Sequence, residues 1–192
     1  MTLKYTIDPS HSRIGFAGRH MVFTKVRGQF DQFEATVEVP EGGDQTAAKI
    51  KAAIQTASVN SGNEQRDGHL RSGDFFDVEK YPEMTFESTA VRKLADNRYE
   101  VTGNLTIRGT TKPVTLEATV EGPLQDPWGN ERYGVEAKGK VSRKEWGLNW
   151  NMALEAGGVL VSEEIEIEIE AAFVRSLATA DQEAAAEAKT TA

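Results

Sequence analysis

The chain contains no cysteine, which excludes disulfides, thiolate metal sites and cysteine nucleophiles. Histidine is nearly absent too, and His11, His20 and His69 are not spaced as metal ligands. No apolar run is long enough to cross a bilayer as a helix, so no integral membrane segment is expected. Basic residues are outnumbered 22 to 30, for a formal net charge of -8, which argues against a general nucleic-acid partner. A glycine-rich nucleotide fingerprint, a zincin motif and an internal repeat are all missing. The opening "MTLKYTIDPSHS" lacks the basic segment and apolar run of a secretory leader, and a cytoplasmic location is the expectation.

What is present is alternation. In "SEEIEIEIEAAF", Ile165, Ile167 and Ile169 alternate with Glu164, Glu166, Glu168 and Glu170, the period of a half-buried antiparallel strand with one wet, anionic face. The same period links Ile14 with Phe16, Val26 with Phe30 before a bulge to Phe33, and Val37 with Val39. It links Ile50 with Ile54, Met84 with Phe86 and Ala90, Val101 with Leu105 and Ile107, and runs through Val114, Leu116, Ala118 and Val120. Val135, Ala137 and Val141 alternate with Lys138 and Lys140, which predicts a strand beside the acidic one with charges paired on its outer face. "PEGGD", "ADN", "RGTTKP", "DPWGN" and "EAGG" supply turns. So many short strands with one greasy face each need closure, and the prediction is an all-β antiparallel barrel or sandwich of about eight strands.

Two inserts interrupt this pattern. After Asn63, a predicted N-cap, "EQRDGHLRSG" has helical spacing and predicts a short helix ended by Gly73. The second, "SRKEWGLNWN", carries Trp146, Leu148 and Trp150. Residues 1–175 are expected to form one domain, and "SLATADQEAAAEAKTTA", residues 176–192, has too little apolar pattern for a core and reads as a flexible tail.

Several stretches, taken in order, resemble the YceI-like family, bacterial polyisoprenoid-binding proteins with a lipocalin-like barrel. They are "DPSHSRIGF", "RHMVFTKVRGQF", "NEQRDGHLRSGDFFDVEKYPEMTFES", "GNLTIRGTTKPVTL", "DPWGN" and "SRKEWGLNWNMALEAGGVLVSEEIEIEIE". The resemblance spans nearly all of the chain except the tail. It implies an antiparallel eight-stranded lipocalin-like β-barrel with a short helical insert near residues 64–73, whose long apolar pore holds an isoprenoid chain. It also implies no established catalytic activity and no required metal. Exported relatives of this kind carry a leader, which the present sequence does not display.

The most chemically loaded stretch is "RDGHLRSGDFFDVEKYP", residues 66–82. A catalytic reading would pair Asp67 or Asp74 with His69 and let an arginine hold an anion, but Ser61 and Ser72 are not in a nucleophile turn. The structural reading has the charges cap and solvate a helix while Phe75 and Phe76 plug the barrel, and it is preferred. The glutamate ladder lacks the loop ligands of a calcium site, and Lys25 with Arg27 are too sparse for a phosphate track. Alternation alone cannot distinguish a packed core from a lipid tunnel; the resemblance favours the tunnel. The pore-lining candidates, by phase, are Ile14, Phe16, Phe30, Ile50, Ile54, Met84, Phe86, Leu105, Ile107, Leu116, Ile165 and Ile167, with Trp146 and Trp150 closing one mouth. The expected partner is a polyisoprenoid or other long-chain lipid, with no cofactor, metal or catalytic residue assigned. A homodimer is left open. The alternatives are a structural or stress-response barrel with a solid interior and a small-molecule enzyme using Arg66, Asp67 and His69.

Overall fold

Prolines, glycines and short polar side chains divide the alternating pattern into eleven strands among the described residues, and pairing reassembles them. The computed structural model describes residues 2–176. Of the expected tail, 177–192 lies outside the described residues, and Ser176 still belongs to the last strand. The strands are β1 (Thr2–Ile7), β2 (Arg13–His20), β3 (Thr24–Phe30), β4 (Phe33–Pro40), β5 (Lys49–Gln55) and β6 (Val59–Asn60), then β7 (Glu83–Lys93), β8 (Arg98–Ile107), β9 (Thr110–Gln125), β10 (Asn130–Ser142) and β11 (Glu164–Ser176). One helix, α1 (Glu64–Arg71), follows β6.

Hydrogen bonding runs β1-β4-β5-β7-β8-β9-β10-β11, and β11 returns to β1. The circuit is a closed eight-stranded antiparallel barrel, which leaves no open edge along those strands. The remaining strands extend it: β2 pairs with β11 and β3, and β3 pairs with β6. Thus β1 with β2, β3 with β4, and β5 with β6 are three long strands, each broken once. The first break holds Pro9, which has no N–H for a ladder, in a single 3-10 turn capped by the Asp8 carboxylate on Ser10 N. The second and third are tied together at Ser58, whose carbonyl accepts from Asp31 N and whose hydroxyl accepts from Gln32 N. Such bends let a twisted sheet close on itself.

Two local expectations are corrected. A bulge between Ser88 and Ala90 shifts the β7–β8 register, so the phase beginning at Met84 and Phe86 ends there; Ala90 is exposed and Val91 faces inward instead. The helix stops at Arg71, not at Gly73, because Ser72 leaves helical backbone at ψ 171 and its hydroxyl donates to the His69 carbonyl.

The outer face of β11 is electrostatically matched. Lys140 on β10 donates to Glu164 at 2.8 Å, as the lysine alternation predicted. Lys25 and Arg27, one strand further away on β3, also reach Glu166 and Glu168. They do so because the outward positions between them, Gly15 and Ala17 on β2, are small.

Arg132 ties the two ends of the chain's sheet together, donating to Asp126 at 2.7 Å in the β9–β10 turn and to Asp8 at 2.8 Å after β1. Arg132 foremost holds the Asp126 carboxyl well below the usual carboxylate range, and Ser10 followed by Arg132 does the same for Asp8. A carboxyl depressed in the folded state stabilises above its unfolded pKa, about 4, and that contribution is lost as pH falls toward the folded value. Wild type should therefore melt above Arg132→Ala at pH 6, and the gap in Tm should close as pH is lowered below about 4. A gap that stays constant down to acid pH would refute the linkage.

Candidate functional site

Inward-facing side chains of the eight strands surround a cavity of about 1010 Å³. The interior is not the solid core that a purely structural barrel would have. Its wall is built from valine, leucine, isoleucine, phenylalanine and alanine on alternate positions of every strand, the direct consequence of period two. The structure places Ile14, Phe16, Phe30, Ile50, Ile54, Met84, Phe86, Leu105, Ile107, Leu116, Trp146, Trp150, Ile165 and Ile167 all on this wall. Tyr5, Tyr133 and Phe173 also line it but were missing from the sequence-based candidates. The alternation of Leu3, Tyr5 and Ile7 in "LKYTI" was the signal for the first of them.

Two of the glycines on the inner phase make room for aromatic rings. Phe16 faces Gly28 across the β2–β3 ladder, and a Cβ on Gly28 would lie 2.4 Å from the ring. On the β7–β8 side, Phe86 covers Gly103 with the same closeness, 2.3 Å. The far end of each ring reaches over the neighbouring backbone because no side chain stands there. Gly28→Ala is expected to swing Phe16 into the pore, reducing capacity for a long chain while costing about 1–3 kcal/mol of stability. Its check is a crystal structure together with a binding titration; an unmoved ring and unchanged binding would contradict the role given to Gly28.

One rim of the barrel is formed by the ends of β5, β8 and β10 and the starts of β7, β9 and β11. The insert after β6 covers that rim, and Arg71 fastens it there. Its guanidinium donates to the carbonyls of Ala57 at 3.0 Å and Val59 at 3.2 Å and pairs with Glu64 at 3.2 Å. Asn63 caps α1 by accepting from Arg66 N. Asp67, 4% exposed, accepts from the Ser61 N–H and hydroxyl. Beyond the helix, Phe75 is buried against Trp146 and Leu148, and Phe76 packs edge-on to Phe30 at 5.5 Å. The second insert meets the first: Trp150 stands edge-on to His69 at 4.5 Å, and Trp146 donates from Nε1 to the Leu105 carbonyl at 3.0 Å.

Arg66 and Asp67 meet at the Ser61 hydroxyl, and His69 does not join them. Arg66 donates to the Ser61 hydroxyl and carbonyl, Asp67 is occupied by Ser61, and His69 Nε2 pairs with Asp74 at 2.9 Å. The Ser72 hydroxyl is turned to the His69 carbonyl and away from its ring. His11 lies in the 3-10 turn against Asp8, and His20 ends β2. Among the described residues no group of three or more His, Asp or Glu is placed to hold a metal, and no helix is long and apolar enough to cross a membrane.

Burial dominates the electrostatics of the wall. It raises Tyr5 well above the ordinary tyrosine range, helped by the hydrogen bond the phenol donates to Glu131, and it raises Tyr133 likewise. Both phenols therefore stay neutral. Arg143, 5% exposed, is pushed down by desolvation and donates to the carbonyls of Ser162, Leu148 and Val161.

Residues 5–173 match the family model for the YceI-like domain. The UPF0312 protein SA2479 of Staphylococcus aureus is 38% identical over 170 residues, covering 88% of this chain and 96% of that protein. Among solved structures, Burkholderia cenocepacia BcnA aligns with a TM-score of 0.73 at 24% identity, over 86% of this chain and 98% of its own. A polyisoprenoid binding domain from Saccharophagus degradans, implicated in plant cell wall breakdown, aligns with a TM-score of 0.66 at 16% identity, over 89% and 98% of the two chains. At those identities the two structures establish the shared barrel.

Proposed function

The chain belongs to the YceI-like domain family, and from that premise we propose that it binds and carries a polyisoprenoid or similarly long apolar chain inside its barrel, without catalysis. The observation that supports this most is the size and chemistry of the interior. A void costs about 24 cal/mol per Å³ when left empty and dry, so one of about 1010 Å³ would cost about 24 kcal/mol on that scale. Folded domains have only about 5–15 kcal/mol to lose. The space is therefore occupied, and water against such a wall is a poor occupant: at about 30 Å³ each, roughly thirty molecules would face hydrocarbon.

An apolar chain that displaces this water gains about 0.8 kcal/mol per buried CH₂, or about 4 kcal/mol per five-carbon unit. Association and chain ordering cost roughly 4–15 kcal/mol. One isoprene unit falls short of net binding and several exceed it, so affinity should rise with chain length until the pore is full. The twelve wall residues identified from sequence phase would make these contacts, with Trp146 and Trp150 beside the insert at one rim.

The test is to purify the protein from its native host without detergent, extract it with organic solvent and analyse the extract by mass spectrometry. A stoichiometric prenyl or other long-chain lipid is expected. Nothing above a control protein's background, combined with no uptake of added geranylgeraniol, would overturn the proposal.

A further inference from the structure

Five of the eight large apolar side chains exposed among the described residues are gathered at one place. Met21, Val22 and Phe23 form the β2–β3 turn, with Val22 65% and Phe23 84% exposed, and Met152 and Val159 belong to the segment before β11. Leu160 joins the two: its carbonyl accepts from Met21 N and its N–H donates to the Met152 carbonyl, both at 2.9 Å. His20 bridges to Val161, and Ala153 to Val159, so the tip of one hairpin lies against a second. A single exposed apolar side chain needs no explanation, whereas a contiguous group marks a surface that meets an apolar phase or a partner.

The backbone of the tip runs against its sequence. Met21 and Val22 hold φ 49 and 68, the left-handed region that asparagine and glycine occupy at little cost and a β-branched residue occupies poorly. Asparagine followed by glycine is the pair such a turn favours. Local stability therefore does not account for methionine and valine here. The core does not account for them either, because both are exposed and neither lines the pore.

Position and charge indicate the partner. Gly18, Arg19 and His20 line the pore directly before Met21, as do Leu160 and Val161 beside it, so the apolar tip continues the pore wall outward at the α1 rim. Residues 18–25 carry Arg19, His20 and Lys25 and no acid, in a chain of formal net charge -8. Arg19 is exposed, within electrostatic reach of Glu166 but in no ion pair among the described residues. Neighbouring acids are held by other cations: Glu163 by Lys144, Glu164 by Lys140 and Glu166 by Lys25. Residues 151–161 contain one acid, Glu155. An apolar tip with a basic residue just behind it suits the interfacial layer of a bilayer, where the apolar side chains enter the acyl boundary and the cation meets phosphates.

We propose that the β2–β3 tip, with Met152 and Val159 beside it, docks the protein on the surface of a lipid bilayer and sets the rim lined by Arg19 and Leu160 against the membrane. The choice of a bilayer over a protein partner rests on the proposed function, since a carrier of long apolar chains must meet the phase that holds them. Docking spares such a chain full exposure to water as it passes between bilayer and pore.

The chain has no cysteine, so one introduced thiol places a label uniquely. Full-length Thr24→Cys, beside the tip, and Trp128→Cys, in the β9–β10 turn, are each labelled with an environment-sensitive nitrobenzoxadiazole and titrated with vesicles of phosphatidylglycerol and phosphatidylethanolamine. The label at 24 is expected to brighten and shift to the blue, and the label at 128 to stay unchanged. Co-sedimentation of unlabelled protein with the same vesicles should weaken about tenfold or more in Phe23→Ser and in the double variant Met21→Asn/Val22→Gly, and about fivefold in Arg19→Gln. The double variant should melt no lower than wild type, because its residues suit the turn, and both tip variants should still take up geranylgeraniol. Absence of vesicle binding, equal responses at 24 and 128, or binding unchanged in both tip variants overturns the inference. So does a wild-type dimer in sedimentation velocity that becomes monomeric in Phe23→Ser, which would assign the tip to a second copy of the chain. Prenyl uptake without vesicle binding overturns the docking alone, and vesicle binding without prenyl uptake overturns the proposed function alone.

Discussion

Ile167→Glu should abolish uptake of a long apolar chain and leave the barrel folded. Ile167 lies on the inner face of β11, between Phe16 on β2 and Gly139 on β10. With only water in the pore, the introduced carboxylate stays hydrated, so the empty protein tolerates it. Filling the pore with hydrocarbon removes that water, and burying an unpaired carboxylate costs several kcal/mol. A loss of about 4 kcal/mol corresponds to roughly a thousandfold in Kd. Phe86→Glu, on the opposite part of the wall, should behave alike. Glu168→Ala, one residue further along β11 and facing out toward Arg27, should bind as wild type does. The measurement is a titration with a fluorescent prenyl analogue, alongside circular dichroism to confirm folding. Retained binding by folded Ile167→Glu would contradict the placement of the ligand in the barrel.

Trp146→Ala should produce the largest single loss of stability. Trp146 ends the 3-10 turn after β10, is 2% exposed, and packs with Phe75, Val114 and Leu148. The turn is terminated by Gly147 at φ 76, a left-handed position that glycine adopts without strain. Truncation removes the indole from the junction of the two inserts and leaves the Leu105 carbonyl without its donor. Buried tryptophan-to-alanine changes cost about 3–5 kcal/mol, which for a domain of this size is about 6–20 °C in Tm. Trp146→Phe keeps most of the packing and loses the hydrogen bond, so about 1 kcal/mol is expected. Trp128→Ala is the control, because Trp128 is 81% exposed in the β9–β10 turn, and its effect should stay within about 0.5 kcal/mol. Urea denaturation of the three variants decides. A Trp146→Ala loss below about 1 kcal/mol would mean the inserts do not depend on this contact.

The strands were legible because a barrel wall imposes a strict period. Ile165, Ile167 and Ile169 face the pore for the same reason that Glu164, Glu166 and Glu168 face water, and no knowledge of their partners is needed to see it. Legibility ended where the period slipped. The bulge between Ser88 and Ala90 moved Val91 inward, a change that depends on how β7 pairs with β8 and leaves no mark within β7. Arg143 was missed for a related reason: a basic residue at the end of an alternating run reads as a solvated boundary, and its burial comes from carbonyls of residues 148–162 folding back over it. In "RDGHLRSGDFFDVEKYP" the residue types allowed either catalysis or attachment. Which carboxylate meets Ser61, and which carbonyls meet Arg71, are facts of three dimensions.

By itself the sequence determined the all-β class, the inward phase of most strands, the helical insert at Asn63, the absence of thiol chemistry and the membership suggested by its ordered motifs, since each depends on local period or residue type. Tertiary structure alone decided that the circuit closes at β11 and β1, that the interior is a cavity and not a packed core, and that Arg143 is buried against the carbonyls of Leu148, Val161 and Ser162. Those three depend on register and on the distance across the barrel, and both are set by pairing between residues far apart in the chain, where local pattern carries no information.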